Sequence, residues 1–406
     1  MKKSVSLVLA LMLLLSILLC GCSTSPSENK AMIFDPPAPS RLDINDGNFV
    51  AASSLDDAIV KTASGVVYLD PLKTDKFTIS GFPFYEENGK LYRLDYSNRS
   101  KYNANLTELA FNTSGGKIRF RTNSAQIHVE VEVNHTYYGY DHMTLKGLAG
   151  IDVYVGTGTD RKWVNTASLS GVSASNPKYK ATFTVGNGSA YQEVMIELPL
   201  YAGVKSISIG VASGSQICEA LPYTYEKPVV FYGSSITQGG CASRPGNCFT
   251  NLLSRALDFN LVNLGFSGSA HGEQYMAELI GNLEMSAFVM DYDHNALDPK
   301  ELKETHYAFY KTVRNLNPDV PIIFITKSDV AISDSDTNYV RREIIKQTYN
   351  KAIEEGDNNV YFISGEMIYG EFYRDFFMVD GCHPNDAGML RIAETIYPVL
   401  KEILNK

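Results

Sequence analysis

Ser235, His383 and Asp380 are the side chains of this sequence whose types and settings suit covalent acyl chemistry. Ser235 lies in Gly233-Ser234-Ser235-Ile236-Thr237-Gln238-Gly239-Gly240, a small-residue turn. At a strand end such a turn exposes a serine and sets its own N–H beside a reacting carbonyl. The rival use, a phosphate cradle, needs a lysine after the glycines, and none follows. Asp380-Gly381-Cys382-His383 places a carboxylate three residues before an imidazole. In a turn the carboxylate can hold one ring nitrogen while the other faces a nucleophile. Gly268, in Asn263-Leu264-Gly265-Phe266-Ser267-Gly268-Ser269, can offer a backbone N–H to a developing oxyanion, or can simply be a tight-turn residue. Asn295, in Asp291-Tyr292-Asp293-His294-Asn295, can add a side-chain N–H. The two aspartates and His294 of that loop keep a metal site open as an alternative. Arg244 suits a substrate carboxylate or hydroxyl, or a structural ion pair. His271 follows the second loop and can line the same site. His128 sits in an alternating strand, His135 and His142 in a Tyr-rich loop, and His306 in a helix-like stretch.

These residues need elements to carry them. Apolar runs at residues 228–232, 261–264, 287–290, 321–325 and 360–363 are each followed by a loop and a helix-like stretch, such as 340–354 and 387–404. Buried strands alternating with helices predict a parallel sheet covered on both faces. Ligands of such sheets bind at the carboxyl ends of the strands, where all the loops above fall. Asp386 or Asn385 is set to cap the last helix. Upstream, residues 118–121, 127–133, 150–155, 181–185, 194–200 and 204–211 alternate, or nearly so, between short Gly, Asn and Ser breaks. That pattern predicts an antiparallel sandwich with one wet face. Asn88-Gly89 predicts a hairpin turn.

The chain has 406 residues, with 36 Lys+Arg against 45 Asp+Glu and a net charge of −9. That balance, without a basic run, argues against nucleic acid as a partner. The length calls for more than one domain. Lys2 and Lys3 precede a nearly apolar stretch at 5–19, and then comes Leu19-Cys20-Gly21-Cys22. This reads as an export signal. Cysteines 218, 241, 248 and 382 allow three pairings or none; Cys241 and Cys248 are near enough to staple a loop, and free buried thiols are equally open. Tyr137, Tyr138 and Tyr140 cluster in one loop and suit stacking on sugar rings or packing within a sandwich.

Taken in order, the loop motifs resemble those of the SGNH, or GDSL, hydrolase family. Gly233-Ser234-Ser235 matches its first block, with Ser234 where Asp is common. Asn263, Gly265 and Gly268 match the second, and Asp380 and His383 the last. The third block departs, keeping only Asn295, with Asp293 and Ala296 at its flanks. Gly150-Ile151-Asp152-Val153-Tyr154 resembles the Gly-x-Asp-Leu-Tyr motif of a branch carrying an N-terminal sandwich. Leu-x-Gly-Cys resembles a bacterial lipobox acylated at Cys22. The resemblance implies an α/β three-layer hydrolase domain at 227–406 and a jelly-roll-like sandwich at 37–226. Before them would come a signal peptide at 1–21 and a tether at 22–36. It implies Ser235 as nucleophile, His383 as base, Asp380 as its partner, and the Ser235 and Gly268 amides with Asn295 as oxyanion donors. It further implies an extracytoplasmic, membrane-anchored esterase that deacetylates carbohydrates without metal or cofactor. A lipid or thioester hydrolase, an acyltransferase, and a non-catalytic glycan-binding lipoprotein are the alternatives.

Overall fold

A computed structural model describes residue 34 and residues 42–134, 140–328 and 336–406. The leader, Cys22, His135, Tyr137 and Tyr138 lie outside the described residues. Residues 36–406 form one compact unit. Its first part holds two antiparallel sheets. One runs Val50–Ala51, Gln216–Glu219, Lys117–Thr122, Gln192–Glu197, Asp152–Val155, Lys162–Thr166, with Thr78–Ser80 also on Lys117–Thr122. The other runs Ile59–Ala63, Val66–Leu69, Val204–Ala212, Gln126–Val133, Lys178–Thr184. Alternation has its expected meaning here: Ile127, Val129, Val131 and Val133 are buried while the residues between them reach solvent. Asn88-Gly89, however, makes no hairpin. Tyr85–Asn88 is a helical turn that Gly89 ends at φ +55°, and Asn88 bonds the Leu94 carbonyl instead. A left-handed glycine serves a helix end as readily as a hairpin.

The second part is a five-stranded parallel sheet. In chain order its strands are Tyr225–Gly233, Phe259–Gly265, Ala287–Asp291, Ile322–Ile325 and Val360–Ile363, and their spatial order is second, first, third, fourth, fifth. The chain therefore reverses direction across the sheet between the first and third strands, the point at which such folds open a crevice. Register fixes the level of that crevice, because Gly233 pairs with Gly265 on one side and Asp291 on the other. Three strands thus end together, and their loops start together. Helices Phe249–Leu257, Gln274–Gly281, Pro299–Leu316, Asp336–Glu354 and Asp386–Leu404 accompany the sheet, the last capped by Asn385 through its bond from the Gly388 amide.

The two parts share a core. Tyr92, Leu94, Tyr102, Leu106 and Ala110 pack with Val230, Val262 and Phe288 of the parallel sheet. Charged joints add to this: Arg161 to Asp258 at 2.5 Å, Arg255 to Glu197 at 2.7 Å and Arg244 to Asp152 at 2.7 Å.

Candidate active site

The first parallel strand stops at Gly233, where a Cβ would lie 2.1 Å from Thr237 Oγ1 and 2.5 Å from the Asp291 carbonyl oxygen. Only glycine lets the chain turn that tightly. Ser234 caps the short helix Ser235–Gln238, its Oγ accepting from the Ile236 amide at 3.2 Å. The Ser235 carbonyl accepts from the Gly240 amide at 2.7 Å, the Gly239 amide at 3.1 Å and the Tyr201 hydroxyl at 3.0 Å. With its backbone pinned, Ser235 sets Oγ 2.9 Å from His383 Nε2. His383 Nδ1 lies 2.8 Å from Asp380 Oδ2, and Asp380 Oδ1 accepts from the amides of Cys382 at 3.0 Å and His383 at 2.6 Å. Gly381 makes the turn at φ +68°. Burial alone would raise the Asp380 carboxyl, but hydrogen bonds from the His383 amide, its ring and the Cys382 amide outweigh it and hold the group below its ordinary value. An ionised Asp380 accepts a hydrogen bond from Nδ1–H and so leaves Nε2 as the acceptor for the serine hydroxyl.

The second loop is built around the carbonyl of Phe266, which accepts from the Ser269 amide and from Asn295 Nδ2, both at 3.0 Å. Asn295 is thereby fastened to the turn carrying Gly268, which adopts φ +62°. Its Nδ2 keeps a second hydrogen for a ligand. Ser235 opens its helix, so its amide has no intrahelical partner. The Gly268 amide has no backbone acceptor among the described residues. Asn263 ties the two loops: Nδ2 donates to the Thr237 carbonyl at 2.6 Å and Oδ1 accepts from the Gly265 amide at 2.8 Å. His271 reaches this turn through Nε2, 3.1 Å from the Gly268 carbonyl, with Nδ1 2.9 Å from Glu301.

Residues 226–401 match the GDSL-like lipase/acylhydrolase family, and residues 66–217 match the N-terminus of SGNH-hydrolase-type esterases. Its second part, residues 226–401, is a GDSL-type hydrolase domain. A GDSL-like lipase candidate from Bacteroides ovatus is similar in structure, at 27% identity and a TM-score of 0.74, over 84% of this chain and 98% of that one. A salicylyl-acyltransferase from a tetracycline biosynthetic pathway is similar at 19% identity and a TM-score of 0.68, with the same coverage of 84% and 98%. A family two carbohydrate esterase from Cellvibrio japonicus shares the fold, at 11% identity and a TM-score of 0.54, again over 84% and 98%. No curated protein matches the chain.

Other expected residues lie elsewhere. Arg244 directs Nη1 to Asp152 at 2.7 Å and Tyr154 at 2.8 Å, with its guanidinium over the Trp163 ring. Its charge is spent on the Gly-x-Asp-x-Tyr strand, and of its two readings the structural ion pair describes its place. The metal alternative fails on side-chain direction. Asp291 accepts from Thr237 Oγ1 at 2.8 Å, Asp293 accepts from the Lys327 amide at 2.9 Å, and His294 Nε2 faces the Ser328 amide at 3.4 Å. Burial, with Asp293 nearby, raises the Asp291 carboxyl well above its ordinary value, and burial drives His294 well below. Cys218, Cys241, Cys248 and Cys382 are all free thiols, so no staple closes the 241–248 loop. Burial, then Asp380, pushes the Cys241 thiol up to about 12, and it is no rival nucleophile. His128 bonds Thr182 on the neighbouring strand Lys178–Thr184, and His306 is buried against Thr348.

Four residues of the first part reach the site without a motif to announce them. Tyr201 holds the Ser235 carbonyl. His142 lays its ring on that of His383, centroids 5.2 Å apart and planes 26° from parallel, and Tyr140 packs edge-on against both Tyr201 and His142. Arg93, fully buried, donates to the carbonyls of Asn263 at 3.0 Å and Gly265 at 2.7 Å and lies over Phe266. A tyrosine after a strand and an arginine among apolar residues carry no sequence signal for such roles.

Proposed function

We propose that this GDSL-type hydrolase is an extracytoplasmic serine esterase, held to the membrane by a lipid on Cys22, that removes acetyl or other short acyl groups from carbohydrates. The hydrogen-bonded series Ser235–His383–Asp380 carries the catalytic part of this reading. Ser235 Oγ attacks the ester carbonyl carbon as its proton passes to His383 Nε2. Asp380 stabilises the imidazolium, and the Ser235 and Gly268 amides and Asn295 Nδ2 stabilise the oxyanion. His383 then protonates the departing alcohol, and water, deprotonated by His383, releases the acid.

A carbohydrate substrate is supported by the aromatic segment just before Asp380. Phe372, Tyr373 and Phe376 are 77%, 84% and 66% exposed. The segment is fastened to the catalytic turn by Asn385 Nδ2 on the Phe376 carbonyl at 2.6 Å and by the Val379 amide on the His383 carbonyl at 2.8 Å. Flat aromatic faces beside a nucleophile suit pyranose rings, which stack through their C–H faces. The test compares the chain beginning after Cys22 with its Ser235→Ala variant, following acetate release from acetylated xylan and hydrolysis of aryl esters from acetyl to octanoyl. Release by the wild type alone, steeply favouring acetyl, is the expected result. Preference for long chains would transfer the reading to lipid or thioester substrates, and glycan binding without turnover would make the protein a binding lipoprotein.

A further inference from the structure

His142, Cys241 and His383 come from three separate segments, and the ester chemistry uses only the last. Their ligand atoms nevertheless all lie within 4.8 Å of one another. Two imidazoles and a thiol are the donor set of borderline cations such as Zn²⁺ and Co²⁺, and a poor one for Mg²⁺ or Ca²⁺, which take oxygen. Both rings also have a carboxylate at Nδ1: Asp380 at 2.8 Å for His383 and Asp141 at 3.4 Å for His142. A carboxylate at one ring nitrogen orients the other toward a metal, as in carboxylate–histidine–zinc arrangements. The two imidazole rings stack with centroids 5.2 Å apart, and the buried Cys241, on a left-handed backbone at φ +72°, completes the set from the serine loop.

We propose that these three residues form an inhibitory site for a divalent cation of the zinc class, bound through Nε2 of each histidine and the Cys241 thiolate. The inference rests on His383 being the base of the proposed esterase. Binding releases one proton, from the Cys241 thiol to solvent, and exchanges water ligands of the aquated cation for one metal–sulfur and two metal–nitrogen bonds. The Nε2 lone pair that accepts the Ser235 hydroxyl proton is then held by the metal, so Ser235 loses its base. Removing the cation restores it.

The test uses the chain beginning after Cys22, stripped of metal, as wild type, Cys241→Ala, His142→Phe and Ser235→Ala. Aryl-acetate hydrolysis is titrated with Zn²⁺, each variant being compared with its own metal-free rate, and Co²⁺ binding is read from the cobalt–thiolate charge-transfer band. The expected result is a half-inhibiting Zn²⁺ concentration at least tenfold higher in Cys241→Ala and His142→Phe than in wild type. The cobalt band should appear in wild type and in Ser235→Ala and be lost in Cys241→Ala. Equal inhibition of all active forms, or no thiolate band in wild type, would overturn the proposal. A thiolate band in a wild type that hydrolyses no ester would count against the esterase reading and not against the metal site, so the two fail separately.

Discussion

Replacing Arg244 by methionine separates a structural cation from a substrate-binding one. Asp152 is fully buried, and its carboxylate accepts from Arg244 Nη1 at 2.7 Å, from the Gly246 amide at 2.7 Å and from Thr166 Oγ1. Gly246 is part of the arrangement, since a Cβ there would lie 2.0 Å from the Tyr154 hydroxyl. Without the guanidinium, a buried carboxylate retains only neutral donors. Breaking a buried pair from one side costs about 3–5 kcal/mol. The Arg244 side chain is 22% exposed, so solvent screens part of this and the lower end applies. Arg244→Met is therefore expected to lower the unfolding free energy by about 3 kcal/mol. Asp152→Asn with Arg244→Met should cost at least 1 kcal/mol less than the two single changes added together, because the stranded charge is gone (about 1–3 kcal/mol of coupling). Urea unfolding reads this directly: Trp163, the sequence's one tryptophan, lies under Arg244 with ring and guanidinium 4.7 Å apart, and circular dichroism gives a second probe. Under conditions where the variant is folded, KM for an aryl acetate should stay within about threefold of wild type, since a position that leaves binding intact changes K only slightly. Unchanged stability with a KM raised tenfold or more would refute this reasoning and return Arg244 to the substrate.

Two further outcomes are expected. Asn295→Ala should lower kcat about a hundredfold, the usual cost of one oxyanion donor, with KM little changed and melting near wild type; an unaltered kcat would remove Asn295 from the oxyanion site. Burial, then Asp293, raises the Asp291 carboxyl well above its ordinary value, so from about pH 4, where the unfolded chain ionises, up to its raised native value its contribution to stability falls as pH rises. Asp291→Asn keeps an acceptor for Thr237 and removes the titration, so its melting temperature relative to wild type should rise as pH rises above about 4, and a constant difference would contradict the assignment.

How much was legible follows from what local pattern can carry. The five parallel strands were visible as apolar runs because burial on both faces leaves no polar alternation, and the ends of the observed strands fall within three residues of those runs, as in Tyr225–Gly233. Ile59–Ala63 and Lys162–Thr166 were not visible: their residues are mostly partly or fully exposed and carry little apolar alternation. Strand order was not visible either, since the pairing of Gly233 with Gly265 and Asp291 is a long-range fact. The Ser235, Asp380 and His383 motifs were legible because each sits in a short turn whose glycines and caps are local. Tyr201, His142 and Arg93 were not, because each owes its place to packing across 34 to 241 residues of sequence. The same contacts change the meaning of a boundary near residue 227. The Ser235 carbonyl takes a hydroxyl from Tyr201, the carbonyls of Asn263 and Gly265 take a guanidinium from Arg93, and the His383 ring takes a ring face from His142. Of the four loops that hold Ser235, Gly268, Asn295 and His383, all but that of Asn295 are thus braced by the first part of the chain. The sandwich and the parallel sheet differ in pattern and are distinct in topology, but the rigidity of the site is a property of both.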